Sequence, residues 1–400
     1  MPLIENGGSR DVKLRLAIFS ILFVGFWIAA LSIEPIALRF SYLQVENYAS
    51  IVRRAIAAKD YRRAEQVLRR RIDKVFYDFD AHYLLAETYA AQGLYKEAAE
   101  TIRTVLSKVP AARANPVRSI GYDEPKTYYL LARYLWLAGQ YLDAGEISRA
   151  ALDAGHPLVQ GEMTTYLSGK VENPSAAEAI AKLAMKLKAP EAFAQAFRVL
   201  KSGGEEASAY RLLAEWMDRV RKMPVGADMV LRAARSLDPQ NPSLVLAQFI
   251  WLNKYGGDAG TSESKALLES LRSSPGIQEI GTGAFRVTEG QRITPTTLVL
   301  GRNGRATAKL ATSVFRPKRL TFVASGTWAI GLYPIVLVRC NGKEVQRLYV
   351  DNPDGRVYDL ELWPQGAPKQ IELEFEFTND AFEPYTRADR NVQIKHLFLY

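Results

Sequence analysis

The chain ends in two apolar segments that flank a loop rich in oxygen-bearing side chains. Residues 371–377 alternate apolar side chains with three glutamates, and residues 392–399 form a second apolar segment. Alternation with a period of two predicts strands that have one buried and one solvated face. The loop between them, residues 378–391, has the composition of a site for a hard cation or a sugar. The sequence therefore predicts a terminal hairpin that presents this loop, with the rest of the chain positioning it.

Cysteine and histidine usage limits the chemistry available to the chain. One cysteine, Cys340, excludes an intramolecular disulfide framework and a cysteine-rich metal site. His82, His156 and His396 lie far apart without partners at ligand spacing, so zinc chemistry is not expected. The chain has no Gly-x-Ser-x-Gly motif and no phosphate-binding glycine loop. The acids of the terminal loop lie too close together to flank a cleft. We predict that the protein is not an enzyme, with glycoside hydrolysis as the alternative.

An apolar segment near the N-terminus has the length of a membrane span. Residues 16–33 are 18 consecutive residues without a charge, and a helix of that length spans roughly 27 Å of the ~30 Å hydrocarbon core. Three cations precede the segment and Arg39 alone closely follows it, which places residues 1–15 in the cytoplasm. We predict a single-pass protein of the bacterial inner membrane with its bulk in the periplasm. A cleaved signal peptide is the alternative.

A basic stretch follows the apolar segment. Between residues 53 and 74, nine Lys and Arg residues face three carboxylates, which gives a net charge of +6. Nucleic acid is a common partner of such a patch, but the nearby apolar segment favours anionic lipid or an acidic polymer. A solvated helix face is the simplest interpretation. No nucleic-acid partner is predicted.

A helical motif then recurs with a period of 34 residues. Its copies share an aromatic, a small and an aliphatic residue: Tyr61, Ala64 and Leu68 in the first, Tyr95, Ala98 and Ile102 in the second. Small residues let paired helices approach closely, and Pro110 is predicted to end the second helix of its pair. A third copy covers residues 131–151, after a twelve-residue insertion in the link at residues 111–123. This period resembles that of the tetratricopeptide repeat.

Beyond residue 157 the helical period continues while the repeat degenerates. Further helices are predicted over residues 176–187, 192–200, 207–219, 227–237, 244–252 and 262–271. One repeat cannot bury its own apolar face, so neighbouring repeats must stack. We predict an all-α solenoid over residues 42–275. Its resemblance to tetratricopeptide arrays implies a partner protein.

The composition changes to β patterns after residues 273–276. Asn303-Gly304 and Asn341-Gly342 are predicted hairpin turns. Strands are predicted over residues 320–323, 334–340, 345–350, 357–362, 371–377 and 392–399. Several short strands without a helix favour a two-sheet sandwich. The predicted fold class is therefore multidomain α and β: a transmembrane helix, a solenoid, and a jelly-roll-like all-β sandwich over residues 276–400.

Three motifs in this last domain resemble carbohydrate-binding modules of the calcium-dependent, xylan-binding type. They are residues 325–334 (SGTWAIGLYP), residues 340–345 (CNGKEV), and residues 377–381 (FTNDA) followed by residues 389–391 (DRN). The resemblance covers about a fifth of the chain. Surrounding loop residues depart from the xylan-binding pattern, so the ligand need not be xylan.

The resemblance implies that a calcium ion held by loop oxygens leaves coordination positions open to sugar hydroxyls. The implied metal ligands are Asn379, Asp380 and Asp389. The implied carbohydrate contacts are Trp328, Tyr333, Phe382, Tyr385, Arg390 and Asn391. The alternative is that the polar residues only close the loop by bonding their own backbone, and that the aromatic residues belong to the core.

Together these features predict a membrane-anchored tethering scaffold without catalytic activity. The solenoid would bind a protein of a membrane glycan-assembly complex, and the sandwich, at the far end of the solenoid, would bind a polysaccharide. The expected setting is bacterial exopolysaccharide or envelope-glycan biosynthesis or export. The alternatives are a pure protein–protein assembly scaffold and a glycan-processing enzyme.

Overall fold

The computed structural model describes residues 48–75, 77–114, 120–169, 171–288, 291–311, 317–362, 370–383 and 386–400. The predicted cytoplasmic N-terminus and transmembrane segment, residues 1–15 and 16–33, lie outside these ranges. Within the described ranges, no helix combines the length and the apolar character needed to cross a membrane.

Thirteen helices make up the N-terminal part of the described chain. Helix α1 covers residues 48–57. The others are α2 (Tyr61–Lys74), α3 (Phe79–Ala91), α4 (Tyr95–Ala114), α5 (Glu124–Leu137), α6 (Tyr141–Ala154), α7 (Val159–Leu167), α8 (Pro174–Leu187), α9 (Pro190–Ser202), α10 (Glu206–Arg219), α11 (Pro224–Leu237), α12 (Pro242–Tyr255) and α13 (Gly257–Arg272). Consecutive helices pack against each other along the series. The predicted all-α solenoid is therefore confirmed.

Local sequence signals fix where many of these helices begin. A side-chain oxygen accepts a backbone N–H of the first turn at the starts of α2, α3, α5, α8 and α12, from Asp60, Asp78, Asp123, Asn173 and Asn241. Proline occupies the first turn of α8 to α12 except α10. These caps satisfy amides that have no partner inside the helix, and proline loses no hydrogen bond there.

The repeat motif lies where its spacing placed it, with two differences. The small and aliphatic residues of both copies are fully buried: Ala64, Leu68, Ala98 and Ile102. The predicted stop at Pro110 is wrong, since α4 continues to Ala114. A proline removes one intrahelical hydrogen bond and can bend a helix without ending it. The short helix α7 was not predicted.

Helices α6 and α8 make their closest approach at Gly145. A Cβ built there would lie 2.8 Å from both Cα and Cβ of Ala179, so Gly145→Ala is expected to destabilise the chain by about 1–3 kcal/mol. Gly161, in α7, has no atom within 4 Å of the same position. The control Gly161→Ala is therefore expected to be neutral or to stabilise by about 0.5–1 kcal/mol. Urea unfolding of the full chain measures both, and equal midpoints would contradict the close contact.

The C-terminal part of the described chain is a two-sheet sandwich. Its strands are β1 (Gln278–Ile280), β2 (Phe285–Val287), β3 (Gln291–Ile293), β4 (Leu298–Leu300), β5 (Gly304–Ala311), β6 (Arg319–Gly326), β7 (Ile335–Cys340), β8 (Lys343–Tyr349), β9 (Arg356–Glu361), β10 (Gln370–Phe377), β11 (Phe382–Glu383), β12 (Ala388–Asp389) and β13 (Val392–Leu399). One sheet has the order β3-β4-β13-β6-β9, with β1 also paired to β13, and the other has the order β2-β5-β10-β7-β8. The two sheets share one apolar core.

Two predicted hairpins are crossings between the sheets. β10 and β13 belong to different sheets, so residues 378–391 link the sheets at one end of the sandwich. Asn303 likewise lies in the link from β4 of one sheet to β5 of the other, and Gly304 is the first residue of β5. The alternating pattern identifies a strand but not its neighbour, because either sheet can bury the same face. The turn at Asn341 and Gly342 is confirmed as a hairpin between β7 and β8, with both residues at positive φ.

The sandwich packs along the side of the solenoid. Strands β6, β8 and β9 contact α6 and α12. Leu332, Ile335 and Tyr349 are part of the core formed by the middle helices, and Val323 and Phe398 share a core with α12 and α13. The prediction of a sandwich at the far end of the solenoid is therefore wrong. Solenoid and sandwich are joined by a common apolar interior.

Candidate functional site

The predicted site residues lie at one end of the sandwich, around the loop between β10 and β13. Within this loop, β11 and β12 form a two-residue antiparallel ladder that pairs Phe382 with Asp389. The loop faces the segment between β6 and β7, which carries Trp328 and Tyr333. The side chain of Phe382 and the whole of Tyr385 lie outside the described residues, so their predicted sugar contacts stay predictions.

Arg390 connects the two segments from inside. Its side chain is 0% exposed, and its guanidinium donates to the carbonyl oxygens of Ala329 (2.7 Å from Nη2) and Ile330 (3.3 Å). It also donates to the carbonyl oxygen of Asn379. A planar fork with five donors suits such a bridge. The predicted sugar contact of Arg390 stays a prediction. In the structure its buried guanidinium holds the 329–330 backbone and Asn379 in position.

Two further side chains fix the same segments. Asn379 donates from Nδ2 to the carbonyl of Tyr333 (2.9 Å) and accepts the N–H of Ile335 at Oδ1 (2.6 Å). The hydroxyl of Thr327 accepts the N–H of Asn391 (2.8 Å) and donates to the carbonyl of Asp389. Thr327 was not predicted, although a threonine beside an exposed tryptophan at a strand end was a usable signal. These contacts place Trp328 directly beside the 389–391 segment.

The aromatic part of the site is a pair of rings with an exposed outer member. Trp328 is 44% exposed and packs edge-on against Tyr333, with ring centroids 5.1 Å apart. Tyr333 packs in turn against the buried Tyr349. Trp328 is thus neither a core residue nor a freely rotating one. A tryptophan ring held open in this way offers a flat apolar surface to a ligand.

A strained turn follows Trp328. Ile330 and Gly331 both have positive φ, +46° and +74°, in a tight turn closed by hydrogen bonds between Ala329 and Leu332. Positive φ is costly for a β-branched residue, and such strain of about 1–3 kcal/mol persists only where surrounding contacts impose it. Arg390 supplies those contacts. The exposed Ile330 side chain extends the apolar surface next to Trp328.

The two acids of the loop, Asp380 and Asp389, lie close enough for the charge of Asp389 to act on the pKa of Asp380. Burial raises the pKa of Asp380, and the nearby Asp389 carboxylate raises it further, while Arg390 acts in the opposite direction. Asp389 accepts a hydrogen bond from the side-chain amide of Asn391 (3.1 Å). Within the described ranges, no group of three or more His, Cys, Asp or Glu side chains is placed to hold a metal ion. Of the three predicted metal ligands, Asn379 uses both atoms of its amide group to bond the backbone. Asp380 and Asp389 are therefore the two predicted ligands whose carboxylates suit a divalent cation.

A buried charged cluster that sequence reasoning missed joins the solenoid to the sandwich. Arg149 of α6 donates to Asp351, after β8, at 2.5 Å and also to Glu146. Glu146 in turn accepts the backbone N–H of Tyr349 (3.0 Å) and the ammonium of Lys182 (2.9 Å). A second bridge links Arg356 of β9 to Glu215 of α10. The pairs that cross from the solenoid to the sandwich are more than 100 residues apart in sequence, so no spacing pattern could have shown them.

Comparison with known proteins identifies a family match in the first part of the solenoid. Residues 55–118 match the family model described as tetratricopeptide repeat. No curated protein sequence matches the chain. A solved tetratricopeptide-like structure, PilF of Pseudomonas aeruginosa, is 16% identical, covers 57% of this chain and 90% of its own, and has a TM-score of 0.23. The predicted tetratricopeptide repeat is thus confirmed.

Two solved structures resemble the C-terminal region. The CBM36-1 domain of a multidomain xylanase from the hindgut metagenome of Trinervitermes trinervoides is 10% identical, covers 31% of this chain and 96% of its own, and has a TM-score of 0.24. A carbohydrate-binding module CBM36 in complex with calcium and xylotriose is 10% identical, covers 30% and 97%, and has a TM-score of 0.22. At these identities and TM-scores the likenesses assign no ligand, metal or partner to this chain.

Proposed function

We propose that this protein is a binding scaffold that holds a polysaccharide at the Trp328 end of its sandwich and a partner protein on its solenoid. The observation that carries the sugar-binding part is the exposed Trp328 ring, fixed against Tyr333. Thr327, next to Trp328 in the chain, bonds the backbone of Asp389 and Asn391, and the Asp389 carboxylate is near enough to Asp380 to raise its pKa. An apolar ring face next to hydrogen-bonding groups matches a pyranose, which has apolar C–H faces and polar hydroxyl edges.

The tetratricopeptide match supports the protein-binding part of the proposal. Within the described ranges, the sandwich covers one side of α6, α10 and α12 through backbone-level packing and ionic contacts. A partner would therefore meet the solenoid on the odd-numbered helices or on the N-terminal repeats. The buried junction would keep the partner and the polysaccharide at a fixed distance.

The cellular setting rests on the sequence. We retain residues 16–33 as the proposed anchor in a bacterial inner membrane, with the described domains in the periplasm. The proposed role is in exopolysaccharide or envelope-glycan biosynthesis or export, motivated by the combination of anchor, scaffold and sugar-type surface. Proteolysis of intact spheroplasts would test the topology, since periplasmic domains should be digested from outside.

Trp328→Ala is expected to weaken polysaccharide binding at least tenfold, which is about 1.4 kcal/mol or more. The change removes the exposed ring and leaves the hydrogen bonds of the buried Arg390 in place. Affinity electrophoresis of the full chain through gels that contain a panel of plant and bacterial polysaccharides measures the loss as restored mobility. Tyr255→Ala is the matched control, because Tyr255 is an exposed aromatic residue of similar exposure on the solenoid.

The same gels separate the alternatives. If the wild-type chain is not retarded by any polysaccharide, with or without calcium, the protein is an assembly scaffold whose sandwich does not bind sugar. Release of new reducing ends from a retained polymer would instead show a glycan-processing enzyme. Retention that Trp328→Ala leaves unchanged would place the sugar elsewhere on the sandwich.

Calcium is part of the proposal because the nearby carboxylate of Asp389 raises the pKa of Asp380, and a cation shared by the two carboxylates would offset that repulsion. When bound, calcium would offer open coordination positions to sugar hydroxyls. The double change Asp380→Ala and Asp389→Ala is expected to abolish calcium binding in isothermal titration calorimetry while the helical circular dichroism is unchanged. If polysaccharide affinity survives both this change and a chelator, calcium has no part in the site.

A further inference from the structure

The basic stretch after the apolar segment folds into an open surface. Within the described ranges, Arg53, Lys59, Arg62, Arg63, Arg70 and Lys74 of α1, α2 and their link are exposed and make no ion pair. Two neighbouring arginines are neutralised, since Arg69 pairs with Glu65 and Arg71 with the buried Asp78. Seven cations, these six and the exposed Arg54, thus make no ion pair among the described residues, and the proposed sugar-binding surface does not include them.

The periodicity of α2 aligns part of this set. Arg63, Arg70 and Lys74 are separated by seven and eleven residues, close to two and three turns, so they form one strip along the helix. Ala64 and Leu68 bury the side of α2 that packs on the rest of the solenoid. The strip is therefore presented outward by a fixed helix.

The composition of this surface favours a polyanion that is recognised through its charge alone. No aromatic side chain of α1 or α2 is exposed, so nucleobases would find no stacking partner there. Long, flexible Lys and Arg side chains on one face suit phosphate groups spread over a surface, because no fixed geometry between neighbouring phosphates is required.

The place of the strip in the chain favours a lipid surface. Only 14 residues, 34–47, separate α1 from the apolar segment 16–33, and an extended chain of that length spans at most about 50 Å. If residues 16–33 span a bilayer, the strip is held within reach of the headgroups of the same bilayer. Basic clusters beside a membrane span bind anionic lipid through screened electrostatic attraction.

We infer that α1 and α2 form a lipid-facing surface that binds anionic phospholipid headgroups of the membrane carrying the anchor. This inference rests on the proposed anchor at residues 16–33. Contact at this strip would orient the first repeat against the bilayer and direct the remaining solenoid and the sandwich away from it. The surface would thus set the orientation of the scaffold as well as its attachment.

A fluorescent reporter on the full chain tests this inference. Gln66 is exposed on α2 between the cations, and the single native cysteine, Cys340, is buried, so Gln66→Cys can be labelled selectively with an environment-sensitive dye. The labelled chain is reconstituted in nanodiscs of phosphatidylcholine alone or with 30% phosphatidylglycerol. We expect a blue shift of the dye emission in the anionic discs only, reduced about fivefold or more in 0.5 M NaCl.

Matched variants identify the strip as the cause. The strip variant changes the three cations of the strip, Arg63, Arg70 and Lys74, and the adjacent Arg62 to Gln. It is expected to remove the blue shift of the dye emission. Four exposed cations later in the solenoid serve as the control: Arg198 and Lys201 of α9, and Arg221 and Lys222 of the link between α10 and α11. Changing these four to Gln alters the net charge equally and is expected to preserve the shift. A dye at the exposed Ser202 is expected to give the same emission in both kinds of disc.

The outcomes separate the strip from the anchor. Equal emission at position 66 in both discs overturns the inference, even if the chain inserts into both and the anchor is confirmed. Association with anionic discs alone, lost in the strip variant, supports the lipid surface while rejecting the anchor. A shift produced by an acidic polysaccharide or an oligonucleotide but not by anionic discs also overturns the inference, since it identifies another polyanion.

Discussion

Replacing Arg149 by Met is expected to lower the free energy of unfolding by about 3–5 kcal/mol and to loosen the sandwich from the solenoid. The guanidinium is 1% exposed and donates to Asp351, Glu146 and the carbonyl oxygen of Tyr349. Methionine fills much of the same volume but offers no donor. The change therefore leaves two carboxylates in an interior where water cannot replace the lost partner.

The pKa directions show how strongly this cluster depends on its cations. Burial alone raises the pKa of Glu146, but Arg149 and Lys182 outweigh it, so the net pKa lies below the ordinary value. The pKa of Asp351 is lowered in the same way by Arg149 and Arg356 against the effect of burial. Without Arg149, Glu146 keeps Lys182 and Asp351 keeps Arg356, so the loss is large but need not prevent folding.

Urea unfolding of the full chain and limited proteolysis measure this effect. We expect the urea midpoint of Arg149→Met to fall and the protease to cut the link between α13 and β1 faster. Arg198→Met is the matched control, because Arg198 is an exposed arginine of α9 whose Nε bonds only its own helix. Adding Glu146→Gln and Asp351→Asn to Arg149→Met is expected to recover part of the stability. A midpoint for Arg149→Met equal to that of the control would show that the charged cluster does not hold the two parts together.

The junction could not be predicted because its partners are remote in sequence. Glu146 and Arg149 are three residues apart on a helix, a spacing typical of an exposed surface pair. Their burial is caused by Asp351 and Tyr349, about 200 residues later. A helix start, in contrast, depends on local signals such as Asp60 before α2, since a cap acts within one turn.

The site was predictable in its residue types but not in their roles. The strand pattern of residues 371–377 and the Asn341-Gly342 hairpin were predicted correctly, because both depend on neighbours in sequence. Asn379 and Arg390 bond the backbone of residues 329–335, a segment that does not belong to their own loop. Whether these two side chains face a ligand or the backbone therefore depends on the path of that segment. Composition gave no information on that path.

Replacing Arg390 by Met is expected to release the turn that carries Trp328 and to weaken polysaccharide binding at least tenfold. The change removes the guanidinium donors to the carbonyl groups of Ala329, Ile330 and Asn379, and a buried carbonyl left without a donor costs about 1–3 kcal/mol. The positive φ of Ile330 then lacks the contacts that impose it, so the turn should relax. Hydrogen exchange of residues 327–333 in the full chain should accelerate.

Three companion variants show whether Arg390 acts through position or through direct contact. Arg387→Met changes an exposed arginine of the same loop and is expected to leave both exchange and binding unchanged. Arg390→Lys is expected to fail as a rescue, since one ammonium cannot reproduce a planar fork. In the double variant with Trp328→Ala, the loss of binding should be little greater than in either single variant, because both act on the same ring surface. If binding falls while exchange at 327–333 stays slow, the turn does not depend on Arg390, and its guanidinium must reach the ligand itself.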